Sequence, residues 1–344
     1  MPSIQVDDDG SVLHYEDTGP PSDDSKDYLT VVFLHGLGIN GNIFSRVLPL
    51  ASSYQARFVV VTSRGYAGSS EFRLEDIEAL KSGDKEAQAA VVSGLGQELA
   101  RFLSRFIQTH GGPKTSVKNG KRVGGIAVVA WSLGCITLSS FLSHAPQYNE
   151  QLREHLGQYL RTVVAYDTAL SGYGIPPPPD FSLSPFGADT SPDERFKVFM
   201  YYASIYQTPV LDLQDVSIPY LLKRTETKQA TLQQISREDF DAVVDRHAFD
   251  TWVLFNRARP ILQEAIVRAY FHPEGIWPEV DVKVFWVDSG SWGMLWGAKW
   301  LADRVSSWTQ DMRKLDLVQL ENANHFMHWD EPERFTRVLM DHLV

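Results

Sequence analysis

The sequence predicts an α/β fold, a mainly parallel central sheet flanked by helices, with a helical lid inserted into it. Three observations carry that expectation. Short continuous runs of apolar, largely β-branched residues recur along the chain, and such runs suit strands buried on both faces. Amphipathic stretches of helical period lie between them, and that alternation implies right-handed crossovers and helix-covered sheet faces. Finally, the alternation stops between about Gly172 and Arg259 and resumes afterwards.

In order, the chain opens with a hairpin, Ser3 to Val6 and Ser11 to Tyr15 around a turn at Asp8-Asp9-Gly10. A polar loop, Gly19 to Asp27, leads into the run Leu29–Leu34. Further strand-like runs are Phe58–Thr62, Gly125–Ala130, Arg161–Tyr166, Val282–Val287 and Leu315–Leu320. The stretch Glu86 to Ile107 carries Val91, Val92, Leu95, Leu99, Phe102, Leu103, Phe106 and Ile107 as one apolar stripe, predicting a helix. Other helical segments are Leu133–Leu142, Trp296–Trp308 and Glu331–Leu343, the last with Asp330 as N-cap and Pro332 in the first turn. The insertion begins with Pro176-Pro177-Pro178-Pro179, a stiff spacer, and shows helical patterns around Asp193–Tyr206 and Glu238–Arg257. The expected division is therefore a core of residues 1–171 and 260–344 with a helical cap over 172–259. A second independent domain is the alternative for that insert.

Composition narrows the function classes. The 344 residues carry 32 basic and 43 acidic side chains, a formal net charge of −11, and 43% are hydrophobic. A diffuse acidic balance argues against a nucleic-acid or anionic-membrane surface, both of which need clustered Lys and Arg. Cys135 is the single cysteine, which excludes an intrachain disulfide and a thiolate zinc cage. No apolar stretch reaches the roughly 18 residues of a membrane helix, and the first residues lack the basic and apolar regions of a signal peptide. A cytoplasmic protein is expected. No nucleotide loop, dinucleotide fingerprint or H-E-x-x-H helix is present, and Asp7-Asp8-Asp9 is followed by no spaced calcium ligands. No metal or cofactor is implied.

The chemistry concentrates in three places. Ala130-Trp131-Ser132-Leu133-Gly134 stands between a buried strand and a helix, where a G-x-S-x-G turn puts a serine on a sharp elbow. Small residues are needed two positions either side of that serine because strand and helix backbones nearly touch, and Ala130 in place of glycine still satisfies this. His35-Gly36-Leu37-Gly38 follows the strand at Leu34, and its glycines let a backbone N–H turn toward the same sheet end. The Leu37 and Leu133 amides would then form an oxyanion hole, with His35 itself a structural turn residue. Asn322-Ala323-Asn324-His325-Phe326-Met327-His328-Trp329-Asp330 follows the last strand. His325 in that loop can reach Ser132 as general base, whereas His328 reads as packing or a helix-entry contact.

In this order, over an alternating pattern, these features resemble the α/β-hydrolase superfamily, across roughly residues 25–170 and 280–344. Ser63-Arg64-Gly65-Tyr66-Ala67-Gly68-Ser69-Ser70 is similar to the family's D-x-R-G-x-G-x-S turn, without the acidic residue at its start. His325-Phe326 with Asp330-Glu331-Pro332 is similar to its N-H-F … P-E-x-F ending. The resemblance implies a Ser–His–acid triad. An aspartate nucleophile, as in epoxide hydrolases and haloalkane dehalogenases, is excluded by Ser132. Most relatives carry the acid a few residues beyond strand seven, where this chain has Gly290 and, two residues early, Asp288. Some lipases, dehalogenases and lactonases carry it at the end of strand six, where this chain has Asp167. The missing acid at 290 favours Asp167, with Asp288 the alternative; either would accept a hydrogen bond from His325 Nδ1–H.

Candidate substrate-binding residues are Gly36, Trp131, Tyr201 and Trp292. The spacing of Trp292, Trp296 and Trp300 fits packing on a helix; the alternative is an apolar substrate wall helped by Phe199, Tyr201 and Tyr202. The expected partner is a small hydrophobic molecule, cleaved as an ester or lactone through an acyl-serine. Carbon–carbon hydrolysis, lyase or isomerase chemistry on the same residues is the competing enzymatic reading, and a non-catalytic ligand receptor is the competing non-enzymatic one.

Overall fold

Eight strands form one sheet: β1 (Ser3–Gln5), β2 (Val12–Asp17), β3 (Thr30–Leu34), β4 (Arg57–Val61), β5 (Ile126–Trp131), β6 (Leu160–Tyr166), β7 (Asp281–Val287) and β8 (Leu315–Leu320). Their spatial order is β1-β2-β4-β3-β5-β6-β7-β8. The β1–β2 and β2–β4 pairings are antiparallel and every other pairing in the sheet is parallel. The structure, a computed structural model, describes residues 2–22, 27–178, 191–272, 276–307, 309 and 312–344. Pro179 of the polyproline run and Trp308 lie outside the described residues.

The parallel strands read as unbroken apolar runs because helices cover both faces. Every residue of β3, β4, β5 and β6 is buried. Side chains alternate between two cores: Val31, Phe33, Val129, Tyr166 and Phe285 in one, Val32, Leu34, Val128, Ala165 and Val284 in the other. The covering helices are α1 (Leu74–Ser82), α2 (Lys85–His110), α3 (Gly134–Ser143), α4 (Glu150–Gly157), α5 (Pro192–Ser204), α6 (Arg246–Trp252), α7 (Arg259–Tyr270), α8 (Trp292–Val305) and α9 (Pro332–Leu343). Asp84 caps α2 by accepting from the Glu86 and Ala87 amides. Gly96 of α2 lets the backbone of α3 approach so closely that a Cβ there would lie 2.6 Å from the Phe141 nitrogen. No helix among the described residues is long and apolar enough to cross a membrane.

Three local expectations are corrected. The helix read from Trp296 begins one turn earlier, at Trp292, with Ser291 at its cap position. Asp330 does not cap α9. It ends a single helical turn, Met327–Asp330, and Glu331 occupies the cap position. The Asp330 carboxylate instead accepts hydrogen bonds from Tyr206 (2.7 Å) and Thr231 (2.5 Å) of the inserted segment. That segment also holds a short antiparallel pair, Tyr206–Gln207 with Glu226–Lys228, which two- and three-residue strands leave too brief a period to announce.

The inserted segment packs across the carboxyl edge of the sheet. Asp245 N–H donates to the Gly38 carbonyl (2.9 Å) and Asn40 N–H to Val243 (2.8 Å), while Trp252 Nε1–H donates to Arg64 (2.9 Å). The sheet order reverses at β3, since β4 lies on one side of it and β5 on the other. Ligand crevices of open α/β sheets lie at such a switch point, and the contacts of the inserted segment lie at the same edge.

Candidate active site

Parallel register brings the ends of successive strands level. Leu34 pairs with Ala130, Trp131 with Tyr166, Tyr166 with Phe285 and Val287 with Leu320. The residues immediately beyond, His35–Gly36, Ser132, Asp167, Asp288 and the 321–325 loop, therefore share one edge although they are far apart in sequence.

Ser132 leaves β5 with φ +55° and its N–H donates to the Tyr166 carbonyl (2.9 Å). A non-glycine residue in the left-handed region is strained and persists only where its surroundings enforce it. Of the six such residues among the described ones, Ser132, Asp167 (φ +46°) and Asn322 (φ +51°) all lie on this edge. The elbow is enforced by close packing. A Cβ at Gly134 would meet the His35 carbonyl oxygen at 2.6 Å, and one at Gly36 would meet Ser132 Cβ at 2.8 Å. Cys135 lies behind the elbow, where burial pushes its thiol up to about 12 and keeps it protonated.

The turn after β3 is clamped by Tyr66, whose hydroxyl accepts from Gly38 N–H (2.9 Å) and donates to the Gly36 carbonyl (3.1 Å). Between those two groups stands Leu37. Among the described residues, neither the Leu37 nor the Leu133 amide donates to a protein acceptor. His35 Nε2 accepts from Ser63 N–H (2.9 Å) and burial lowers its pKa to about 4, so the ring is neutral and structural. The aromatic rings of Phe196 and Phe249, from the insertion, press on Gly38.

His325 is 2% exposed, and its Nδ1–H donates to Asp167 Oδ2 at 2.6 Å. Asp167 is itself fixed. Its N–H donates to the Phe285 carbonyl (2.7 Å) and its Oδ1 accepts from Val287 N–H (3.3 Å). The His325 carbonyl accepts from Trp131 Nε1–H (2.9 Å), and the two rings pack 4.7 Å apart. Thus the residue preceding Ser132 holds the backbone of the histidine. Among the described residues no hydrogen bond joins Ser132 Oγ to the His325 ring; in unliganded sites such contacts are often long and tighten when substrate binds.

Asp288 makes no hydrogen bond to the imidazole. Its carboxylate accepts from the Asn322 amide (2.8 Å), the Ala323 amide (3.2 Å) and the Ser289 hydroxyl (2.8 Å). Gly290 lies beside the pair: a Cβ there would be 3.9 Å from Asp167 Oδ2 and 4.0 Å from the His325 backbone nitrogen. His328 is fully buried among Phe44, Trp131, Tyr166, Phe326 and Phe335, which depresses its pKa well below the usual value. Tyr201 donates to Glu226 (2.5 Å) within the insertion, and Trp292 is half-buried between two apolar clusters. Sequence reasoning did not single out Tyr66, Asn324 or Arg224 as site residues. Asn324 Nδ2 donates to the Ser204 carbonyl (2.7 Å) and Thr231 Oγ1 (2.9 Å), tying the histidine loop to the insertion. Among the described residues no group of three or more His, Cys, Asp or Glu side chains is placed to hold a metal ion.

Comparison with known proteins bears on this arrangement. The model of the alpha/beta hydrolase family matches residues 31–338. Comparison with curated proteins finds no match. Among solved structures, an epoxide hydrolase from Solanum tuberosum aligns at TM-score 0.56 and 15% identity, over 99% of this chain and 98% of that one. A structure reported with the carboxylesterases of the thaumarchaeon Nitrososphaera gargenis aligns at 0.55 and 14%, over 99% and 97%. An N-acyl homoserine lactone degrading enzyme aligns at 0.53 and 14%, over 99% of both chains. At such identities these likenesses establish the fold alone.

Proposed function

The chain belongs to the alpha/beta hydrolase family, and on that footing we propose that it is a serine hydrolase cleaving an ester or lactone of a small hydrophobic molecule through an acyl-serine. The observation that carries this reading is the 2.6 Å bond from His325 Nδ1–H to Asp167, formed beside a serine on a left-handed elbow. That bond leaves Nε2 as the basic nitrogen of the neutral ring.

In the reaction, Ser132 Oγ attacks the carbonyl carbon while His325 Nε2 takes the hydroxyl proton. Asp167 holds the tautomer and stabilises the imidazolium without itself becoming protonated. The Leu37 and Leu133 amides receive the developing oxyanion, each donor contributing roughly 3 kcal/mol to the transition state. The intermediate collapses as His325 returns the proton to the leaving alkoxide, which departs as alcohol. Water, deprotonated by His325, then attacks the acyl-serine and releases the carboxylic acid and free Ser132. In this reading the reaction needs no cofactor.

Hydrophobic substrates are favoured by the rings that crowd the edge, Trp131 beside the serine and Phe196 and Phe249 over Gly38. The inserted segment acts as a lid that excludes water. A cytoplasmic setting agrees with a lone buried thiol and no disulfide.

The test is hydrolysis of p-nitrophenyl acetate and butyrate by purified protein. Ser132→Ala is expected to lose activity by on the order of a thousandfold or more. Full activity in Ser132→Ala overturns the proposal.

A further inference from the structure

Two acidic residues converge on His325 from the ends of neighbouring strands, and only one of them reaches its ring. Asp288 follows β7 and is 2% exposed. Its two carboxylate oxygens take the amides of Asn322 and Ala323, the turn by which the chain leaves β8 for the histidine. The same turn is bound from the other direction, since Ser289 N–H donates to the Ala323 carbonyl (3.0 Å). Asn322 is held there in the left-handed region at φ +51°. Without an acceptor on those amides the strained turn has no cause to persist.

The 288–290 turn is gripped in its turn by an arginine of the insertion. Arg224 is 9% exposed and donates through Nη2 to the Asp288 carbonyl (3.0 Å) and through Nη1 to the Gly290 carbonyl (2.7 Å). Its Nε donates to the Thr208 carbonyl (2.7 Å), and Nη1 also to Gln207 Oε1 (3.1 Å). Among the described residues it forms no ion pair with a carboxylate, and burial lowers its pKa to about 10. Burying the guanidinium is costly, and the nearby Asp288 charge offsets part of that cost without bonding to its fork. Its fork is instead matched to main-chain carbonyls converging from both sides of one turn. The amides of Gln207 and Val210 complete the seam by donating to the Ser289 carbonyl (2.8 Å) and the Asp288 carbonyl (3.0 Å).

We propose that Asp288 and Arg224 are positioning residues for His325: the lid arginine fixes the 288–290 turn, and the Asp288 carboxylate transmits that position to the backbone of the histidine loop. This rests on the reading of Ser132, His325 and Asp167 given above. The carboxylate after strand seven thus acts on the loop that carries the base, while the carboxylate after strand six acts on the ring. The inserted segment is, by the same contacts, part of the support of the general base as well as a cover.

The experiment counts active sites by stoichiometric fluorophosphonate labelling, so that kcat is read per competent serine. Asp288→Asn replaces one acceptor by an N–H2 facing an amide donor. It is expected to lower kcat per active site about 10- to 100-fold, with KM within about twofold, as a displaced base does. Arg224→Met is expected to lose kcat in the same way, with Arg224→Lys recovering part of the loss. In a histidine-labelled NMR spectrum both losses are accompanied by a shifted His325 ring resonance. If Asp288→Asn does not fold, the Arg224 pair carries the test. Wild-type kcat per active site and an unmoved His325 resonance in the variants overturn the proposal, as does a loss confined to the number of labelled sites. A wild-type protein that hydrolyses no ester overturns the hydrolase reading instead, and the resonance still decides the positioning claim.

Discussion

His325 and Asp167, 158 positions apart, are joined by a 2.6 Å hydrogen bond between two almost wholly buried side chains. A carboxylate cannot donate, so Nδ1 carries the hydrogen and the ring's tautomer is settled by its partner. Asparagine at 167 presents a shape that also allows the opposite tautomer. Asp167→Asn is therefore expected to lower kcat by on the order of ten-thousandfold with little change in KM, measured on p-nitrophenyl esters. A Cβ at Gly290 would lie 3.9 Å from the position of Asp167 Oδ2, so Gly290→Asp in an Asp167→Ala background is expected to restore part of that activity. Recovery stays partial because the new Cβ meets Val287 Cγ2 at 2.7 Å.

Gly36 packs against Ser132 across space that a methyl group would fill. Gly36→Ala places a Cβ 2.8 Å from Ser132 Cβ and 3.1 Å from the Trp131 ring. The elbow must shift, and a displacement approaching 1 Å costs about a hundredfold in rate. Steady-state kinetics should show that loss in kcat/KM, together with slower fluorophosphonate labelling. Wild-type labelling would show that the glycine turn does not bear on the serine.

Tyr66 is fully buried, and its hydroxyl bridges the Gly36 carbonyl and the Gly38 amide. Tyr66→Phe keeps the ring and leaves both main-chain groups without their partner. The expected stability loss is about 1–3 kcal/mol, read from urea denaturation. Because Leu37 lies between the two groups, kcat is expected to fall with KM nearly unchanged.

How far the site could be read beforehand follows from the kind of constraint each residue obeys. Ser132, Gly36 and Gly134 were legible because an elbow tolerates few residue types, and the spacing announces the geometry. The buried strands were legible for a similar reason, since β3 through β6 face apolar surroundings on both sides. Asp167 and Asp288 stood nearly level, because both end a strand on the same edge and only three-dimensional register distinguishes ring from loop. Arg224 left no signal: three of its four partners are main-chain carbonyls, which every residue possesses. Asp330 misled, because an aspartate two residues before α9 resembles a cap, while its actual partners, Tyr206 and Thr231, lie about a hundred positions away.

Acid should weaken the fold through His35. Burial lowers its pKa from 6.5 to about 4, with Ser63 N–H already donating to Nε2. The unfolded chain therefore binds a proton that the folded one refuses between those values. Stability is fully present above about pH 6.5 and is lost as pH falls toward 4, by about 3 kcal/mol in all. His328, whose pKa is also depressed by burial, acts in the same direction. Urea midpoints followed from pH 7 to pH 4.5 should fall more steeply for wild type than for His35→Gln. Parallel curves would contradict the assignment of a neutral His35.

The most direct measurement is intact-mass spectrometry of the protein quenched within milliseconds of mixing with a p-nitrophenyl ester, followed by peptide mapping. Our account predicts a one-to-one acyl adduct on Ser132 that decays as acid is released, and that Ser132→Ala does not form. Turnover with no covalent species, or an acyl group mapped to any other side chain, would contradict it.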